Sequence, residues 1–374
     1  MADDETCPLC GSEDVEIFSV PYPLFEHREF DVIHDGPSAL GRCRDCLMVF
    51  RNDGDAVAAT IDGIYRRKEY VTRNEPLHTV YATESGGLKT MPFLQAELLA
   101  PFIPGQNAAV LDIGCFDGRL LRELAGRHGD AGLCGFDVSE ETRSRFPEGG
   151  NFRFVSGSLA EVTGSFDLIV LSHSIQYIRD LGELFGQVSR LLKPGGVVFV
   201  QVPDLDRRAT SLLFGDLHFH FTQAVLENMF ANFSFSCSFL DNRWFPRDLL
   251  AIGKAGKADR AETQPVTRDD AAVEQALDYL EAMTGKLEGL SQGTRTGVLG
   301  TTVDAAFVNS VLGERAAFFV EENEKKIGAT FHGKPVLSPA DVSATDRVIL
   351  PMGEAGEALS SRLSGAYEGE YICV

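Results

Sequence analysis

The feature that most restricts the fold is a regular alternation of apolar and amphipathic segments between about residues 100 and 205. Five apolar runs predict buried strands: "AAVLDIG", "GLCGFDVS", "NFRFVSGS", "SFDLIVLSHS" and "GVVFVQVPD". Intervening segments such as "DGRLLRELAGRHG" and "LGELFGQVSRLLKPGG" predict helices, the second ending on lysine and glycine. Strands that alternate with helices predict an α/β fold with a doubly wound parallel sheet, whose ligand site lies at the carboxyl ends of the strands.

Length and charge limit the class of protein. A chain of 374 residues is long enough for two or three domains. It has no run of about 18 apolar residues, and its acidic start "MADDETCPLC" is unlike a signal peptide, so we expect a cytoplasmic protein with no membrane partner. A net charge of -21 disfavours binding to nucleic acid, although a local basic patch would override it.

Four of the eight cysteines form two C-x-x-C pairs in "CPLCGS" and "CRDCLMVF". This spacing predicts one closed, structural zinc site with the ligands Cys7, Cys10, Cys43 and Cys46, because two such knuckles bring four thiolates to one tetrahedral ion. The alternative is four free thiols or a redox pair. The remaining cysteines lack such pairing and are expected to be packing residues: Cys115, Cys134, Cys237 and Cys373.

The turn after the first predicted strand, "VLDIGCFDGRLL", resembles a dinucleotide loop but lacks its second glycine. Phe116 stands where that glycine would let a pyrophosphate approach the backbone. Asp112, at the end of the strand, would repel phosphate and suits the cationic amino-acid part of a ligand. Asp137, at the end of the second strand, can accept hydrogen bonds from both hydroxyls of a ribose. An adenosine that bears an amino acid and no phosphate is S-adenosylmethionine (SAM). The alternative is a Rossmann-type domain that binds NAD or no ligand.

The motifs "VLDIGCFDG", "GFDVS", "FDLIVLSHSIQYI" and "LLKPGG", in this order, resemble those of class I SAM-dependent methyltransferases. The resemblance implies roles for the residues at the strand ends. The methionine pocket would be formed by Asp112, Gly114, Cys115 and Gly118. The ribose and adenine would meet Asp137, Val138, Ser158 and Leu159, and the floor near the sulfonium would be Ser172 and His173.

The flanking segments resemble those of the zinc-containing nucleotide-sugar C-methyltransferases, in which a C-x-x-C…C-x-x-C module precedes the SAM domain and a Rossmann-like domain follows it. The C-terminal text "FVEENEKKIGATFHGKPVLSP" carries this resemblance together with the two cysteine pairs. The implied organisation is a zinc-ribbon-like module at 1–55, a connecting segment at 56–83 and a methyltransferase domain at 84–256. A linker at 257–269 and a smaller α/β domain at 270–374 complete it. The implied substrate is a nucleotide-linked keto-deoxysugar, and the oligomeric state stays open.

Methylation of a carbon next to a ketone needs a base for the α-proton and donors for the enolate oxygen. The family resemblance directs attention to "FGDLHFHFTQAVLENMF", in which His218 and His220 alternate with phenylalanine and would share one face of an extended segment. One would be a base and the other a donor, or both would be structural. Tyr177 is a further candidate for binding a substrate oxygen, although packing is the commoner role of such a residue.

Two questions stay open on the sequence. The turn "GVLGTTVDAAF" in the C-terminal domain either holds an anion at Gly297, Gly300 and Thr301 or only supports the neighbouring domain. The chain as a whole is expected to be a carbon methyltransferase. The alternatives are an O- or N-methyltransferase on another small metabolite, which needs no strong base, and a scaffold that keeps the fold without catalysis.

Overall fold

The computed structural model describes residues 6–26, 32–34, 38–52, 63, 80–82, 87–256, 271–352 and 356–374. Most of the predicted connecting segment 56–83 and all of the predicted linker 257–269 lie outside these ranges. The chain divides into two compact units, one made of 1–19, 39–208 and 217–270, the other of 20–38, 209–216 and 271–374. None of the helices in the described part has the length and hydropathy required to span a bilayer.

The described strands follow one another along the chain as β1 (Val15–Val20), β2 (Leu24–Phe25), β3 (Val32–His34), β4 (Ser38–Cys43), β5 (Val49–Arg51), β6 (Val80–Ala82), β7 (Leu88–Thr90), β8 (Ala109–Ile113), β9 (Gly132–Asp137), β10 (Phe152–Ser156), β11 (Phe166–Ser172), β12 (Leu192–Pro203), β13 (Phe219–His220), β14 (Phe235–Phe239), β15 (Asp248–Ala255), β16 (Thr296–Leu299), β17 (Ala316–Val320), β18 (Thr330–Phe331), β19 (Lys334–Leu337), β20 (Arg347–Leu350) and β21 (Glu370–Cys373). The helices are α1 (Met91–Leu99), α2 (Arg119–Arg127), α3 (Leu181–Leu191), α4 (Gln223–Asn232), α5 (Ala272–Glu288), α6 (Val303–Leu312) and α7 (Gly356–Ala366).

The first unit is built on a seven-stranded sheet with the order β10-β9-β8-β11-β12-β15-β14. The first five strands in this order are parallel, and β15 is antiparallel to both β12 and β14. This arrangement confirms the predicted α/β sheet, to which β15 and β14 add an antiparallel pair at one edge. Because both faces are covered, the strands are mainly apolar and do not alternate with polar residues.

Alternate residues of each central strand enter different cores. In β8, Val110 packs on one side of the sheet, whereas Leu111 and Ile113 pack on the other. The second of these cores continues into the segment that carries the two cysteine pairs, here called the cysteine module, where it includes Met48 and Phe50. This module therefore shares a core with the large sheet, and its strands form a separate sheet with the order β1-β4-β5-β13.

The second unit contains a six-stranded sheet with the order β18-β19-β17-β16-β20-β21. It is parallel except for the β18–β19 pair. The predicted sequence of strand, glycine turn, helix and strand is present as β16, α6 and β17. This unit is thus built on a mainly parallel α/β sheet.

Candidate functional site

The glycine loop between β8 and α2 is held against the end of β9. The backbone N–H groups of Gly114 and Cys115 donate to the carbonyl oxygen of Phe136 at 2.8 and 3.0 Å. Gly114 and Gly118 have φ angles of +82° and +68°, which glycine adopts at little cost. A Cβ atom on Gly114 would lie 2.6 Å from the Cβ of Ser174, so a larger residue would collide with the segment after β11.

Phe116 also has a positive φ, at +46°, although the sequence offers a bulky side chain there. This conformation is uncommon for a residue other than glycine. It is stabilised by Asp137, whose Oδ2 accepts the backbone N–H of Phe116 at 3.1 Å. The strained residue therefore links the loop to the carboxylate at the end of β9.

Asp137 is oriented by a second backbone donor, because its Oδ1 accepts the N–H of Ser139 at 3.0 Å. A carboxylate can accept about four hydrogen bonds, so two backbone donors fix its position without exhausting it. Val138, next in the chain, is 39% exposed, which is unusual for a large apolar side chain beside a polar site. Together they present a hydrogen-bond acceptor and an apolar surface at one strand end.

Three carboxylates, Asp112, Asp117 and Asp137, lie close enough to influence one another. Burial first, and then the charges of Asp137 and Asp117, raise the pKa of Asp112 to about 7. A cation placed among them would offset both effects. The donor set thus fits a positively charged ligand and not a phosphate.

The adenine-side candidates lie after β10. Ser158 caps the short helix Leu159–Glu161, its Oγ accepting the N–H of Ala160 at 3.3 Å. Leu159 is half-buried. The structure therefore brings these two residues to the same sheet edge as Asp112 and Asp137.

A chain of hydrogen bonds runs across the ends of β11, β12 and β15. Gln95 Nε2 donates to Ser172 Oγ and to Gln201 Oε1, both at 2.7 Å. Gln201 Nε2 donates to Asp248 Oδ2 at 2.6 Å, and His173 Nε2 lies 3.2 Å from the same oxygen. Ser172 and His173, predicted on the cofactor floor, are therefore fixed by partners that the sequence reasoning did not identify.

Polar atoms without a partner surround the segment after β11. The Oγ of Ser174, both amide atoms of Gln176 and both ring nitrogens of His220 are buried and make no hydrogen bond to any described residue. Each such atom costs about 1–3 kcal/mol, so a cluster of them calls for an explanation. A ligand with several hydrogen-bonding groups would provide the missing partners.

The two histidines of the "HFHF" segment are both buried, at 5% exposure for His218 and 2% for His220. The backbone N–H of His218 donates to the Gln176 carbonyl at 2.8 Å, which places β13 beside the segment after β11. Burial, and then the charge of Arg51, lower the pKa of His220 to about 3, so this imidazole stays neutral. Tyr177 is half-buried in the same short helix as Gln176.

The four predicted metal ligands, Cys7, Cys10, Cys43 and Cys46, converge, with all sulfur atoms within 4.8 Å of one another. Cys7 Sγ and Cys46 Sγ are 3.5 Å apart, near the edge of about 3.8 Å expected for a tetrahedron with zinc–sulfur bonds of about 2.3 Å. The backbone N–H groups of Leu9 and Cys46 point at Cys7 Sγ and Cys43 Sγ, at 3.4 and 3.5 Å. These residues fit a zinc ion.

The cysteine cluster is joined to β13, the strand that contains His220. Asn228 and Asn232 of α4 donate side-chain hydrogen bonds to the carbonyl oxygens of Cys46 and Leu9, at 3.0 and 3.1 Å. β5, which follows the second cysteine pair, is antiparallel to β13. The cysteine module thus contacts both β13 and the helix that follows it.

The glycine turn of the second unit already holds an anion. Glu321 Oε1 accepts the backbone N–H and the hydroxyl of Thr301, at 3.0 and 2.7 Å. Lys326 Nζ lies 3.2 Å from that oxygen, and the N–H of Gly300 donates to the carbonyl of Val320. One of the two hypotheses for this turn is that it binds an anion. A diphosphate held by the amides of Gly300 and Thr301 would have to displace the carboxylate of Glu321.

A protein-family model described as a methyltransferase domain matches residues 91–237. The chain carries a class I SAM-dependent methyltransferase domain. Trans-aconitate 2-methyltransferase of Deinococcus radiodurans is 33% identical to it over 117 residues, which are 31% of this chain and 45% of that protein. Ubiquinone biosynthesis O-methyltransferase of Caulobacter vibrioides is 31% identical over 138 residues, 33% of this chain and 54% of that protein.

Among solved structures, an S-adenosylmethionine dependent methyltransferase from Mesorhizobium loti is similar with a TM-score of 0.36 and 20% identity, over 42% of this chain and 95% of that one. The chain spans about half the length of the curated relatives that it matches. The matched region, 91–237, includes all the predicted SAM-side residues together with His218, His220 and Tyr177. The cysteine cluster and the second unit's large sheet lie outside it.

Proposed function

We propose that the chain is a SAM-dependent methyltransferase whose methyltransferase domain binds SAM at the carboxyl ends of β8, β9, β10 and β11. The observation that carries the proposal is the glycine loop locked to Asp137 at the neighbouring strand end. When bound, SAM supplies a methyl group on a positively charged sulfur. In the proposal, the residues that hold it are Asp112, Gly114, Cys115, Gly118, Asp137, Val138, Ser158, Leu159, Ser172 and His173.

We further propose that the cysteine cluster holds a structural zinc ion, in a module at 1–55 that precedes the methyltransferase domain at 84–256. The convergence of four sulfurs supports this. Without a cation, the ionisation of several neighbouring thiols at the same time is unfavourable. A hydrogen bond from Cys46 lowers the pKa of Cys7 to about 5, whereas burial raises the pKa of Cys10 to about 11. The ion would stabilise the sheet that positions β13.

For the acceptor we propose a nucleotide-linked keto-deoxysugar, methylated on the carbon next to its ketone. The resemblance of the three-part organisation to sugar C-methyltransferases motivates this choice. The unpaired polar atoms of Gln176 and His220 support a polar acceptor with several oxygens. A neutral imidazole such as that of His220 can donate an N–H to an enolate oxygen, as a preorganised donor that costs no reorganisation. His218 and Tyr177 are candidates for further contacts to the acceptor.

A second candidate is O-methylation of a small carboxylate or hydroxyl compound. The named activities of the relatives, trans-aconitate 2-methyltransferase and ubiquinone biosynthesis O-methyltransferase, favour it. This chemistry breaks no C–H bond. In either case the proposed partners are small molecules in the cytoplasm, with no nucleic acid or membrane.

The experiment has two stages. Calorimetric titration of SAM into protein of known zinc content tests the cofactor; absence of binding would leave a scaffold that only keeps the fold. Mass spectrometry of reactions with SAM and a panel of nucleotide-linked 4-keto-deoxysugars in deuterated water then tests the acceptor. C-methylation gives a product heavier by one methyl, with deuterium exchange at the carbon next to the ketone. SAM binding without turnover or exchange across the panel would exclude these sugars and favour the second candidate, which trans-aconitate tests directly.

A further inference from the structure

His173 occupies a conformation that costs free energy. It directly follows β11 and has a φ angle of +50°, in the left-handed region that residues other than glycine rarely adopt. Its backbone N–H donates to the carbonyl oxygen of Gln201 at 2.8 Å, which holds it to the end of β12. Strained residues of this kind cluster at active sites.

The strained backbone brings the imidazole to a carboxylate. His173 Nε2 lies 3.2 Å from Asp248 Oδ2, and the side chains are 24% and 11% exposed. Asp248 is held by Gln201 Nε2 at 2.6 Å, and Gln201 is in turn held by Gln95. The acceptor atom of the pair is therefore fixed by a buried network, so the imidazole has one defined partner.

Asp248 remains ionised at neutral pH. Burial by itself would raise its pKa, but attraction to the His173 ring when that ring is protonated, the hydrogen bonds from His173 and Gln201, and the positive charge of Arg208 outweigh burial and lower it. Asp204 is a carboxyl group close enough to interact with Asp248, and burial, followed by the charge of Asp206, raises its pKa to about 6. An ionised Asp248 favours the imidazole tautomer with the proton on Nε2 and the lone pair on Nδ1.

We propose that His173 is the general base of methyl transfer and that Asp248 is its positioning residue. The inference rests on the proposed function and adds the base to it. His173 Nδ1 removes a proton from the acceptor, and the electron pair left on the acceptor attacks the methyl carbon of SAM. The bond between that carbon and sulfur breaks, and S-adenosylhomocysteine leaves with the pair. The imidazolium then releases its proton to water.

The sequence left the roles of base and hydrogen-bond donor open between His218 and His220. This assignment gives the role of base to His173 instead. Those two rings are buried, and His220 is held neutral. His173 is the partly exposed member of the three, and its ring lies against the carboxylate of Asp248. A base must reach the acceptor and exchange its proton with water, which a partly exposed ring allows.

The test combines a spectrum with turnover, on the full chain saturated with SAM. In two-bond ¹H–¹⁵N correlation spectra, the His173 signals are identified by their loss in His173→Gln. We expect a proton on Nε2 and none on Nδ1 in the wild type, and a shift toward the Nδ1–H tautomer in Asp248→Asn, whose amide can donate to Nε2. A wild-type ring protonated on Nδ1 alone would overturn the inference.

Turnover is measured with whichever acceptor of the sugar panel or trans-aconitate the wild type methylates. His173→Gln should lower kcat by about 10²–10⁴-fold, far more than it changes the Kd for SAM. Asp248→Asn should lower kcat and change the pH profile of kcat. His128→Gln, a change of the same type at the end of α2, is the matched control. Unchanged kcat in His173→Gln would overturn the inference alone, whereas failure of the wild type to bind SAM would overturn the proposed function itself.

Discussion

SAM affinity should depend steeply on pH because of one buried carboxyl group. Burial and two neighbouring carboxylates raise the pKa of Asp112 to about 7, far above its ordinary value of 3.8. The free protein therefore holds a proton on Asp112 at pH 6. Binding of a cationic amino acid beside it favours the ionised form, so the proton must leave when SAM binds.

The size of the effect follows from that pKa. With a pKa near 7, about 3% of Asp112 is ionised at pH 5.5 and about 76% at pH 7.5. If only the ionised form binds SAM, the Kd falls about 25-fold over this range, which corresponds to about 1.9 kcal/mol. At pH 6 the complex should release about 0.9 proton per SAM bound.

Isothermal titration calorimetry in two buffers of different ionisation enthalpy measures both the Kd and the proton release. Asp112→Asn is the matched control, because it keeps the shape of the side chain and cannot ionise. In this variant the Kd for SAM changes with pH only through the titration of SAM and of other groups. This change is subtracted from the change measured for the wild type. A wild-type Kd that is flat between pH 5.5 and 7.5, or binding without proton release at pH 6, would refute the reasoning.

Two further predictions concern the ribose side and the metal. Asp137→Ala should weaken SAM binding by about 1.5–3 kcal/mol, because it removes a charged acceptor together with the anchor of Phe116; an unchanged Kd in calorimetry would contradict this. Purified protein should contain about one zinc ion per chain by elemental mass spectrometry, and Cys43→Ser should lose the ion and lower the unfolding temperature. Cys237→Ser, outside the cluster, should keep both, and a stable wild type without zinc would contradict the metal assignment.

The strands of the methyltransferase domain could be predicted because their burial leaves a direct mark on the sequence. Residues of both faces of β8, β11 and β12 pack in a core, so each strand is mainly apolar and lacks a polar face. The glycine loop could be located for a related reason, since a strand that ends in Asp-x-Gly before a helix is distinctive. The two cysteine pairs carry their own spacing, and the structure brings them together.

Contacts between distant short segments left no such mark. β13 contains only Phe219 and His220, and two residues have no periodicity that could reveal their pairing with β5. The partner of His173 is Asp248, the first residue of a strand, and nothing near either residue indicates the other. The burial of His220 follows from the same pairing. Alternation in "HFHF" predicts a shared face for the histidines but not what covers it.

The glycine turn of the second unit shows a different limit. Its sequence, "GVLGTTVDAAF", has the small residues of an anion-binding turn, and the structure has the matching strand, turn and helix. The anion, however, is Glu321 from the end of the next strand. A motif describes the space that a turn leaves but not the side chain that another strand places there.

The pairing of β5 with β13 also sets an order of folding during synthesis. Arg51 and Phe219 are separated by roughly 170 residues, which a ribosome adds in roughly 10–30 s at 5–20 residues per second. Until then the edge of β5 that β13 will cover exposes unpaired N–H and C=O groups, the kind of edge on which chains aggregate. The cysteine module can thus begin to fold early, but it acquires its last strand only after the whole parallel part of the large sheet has been made.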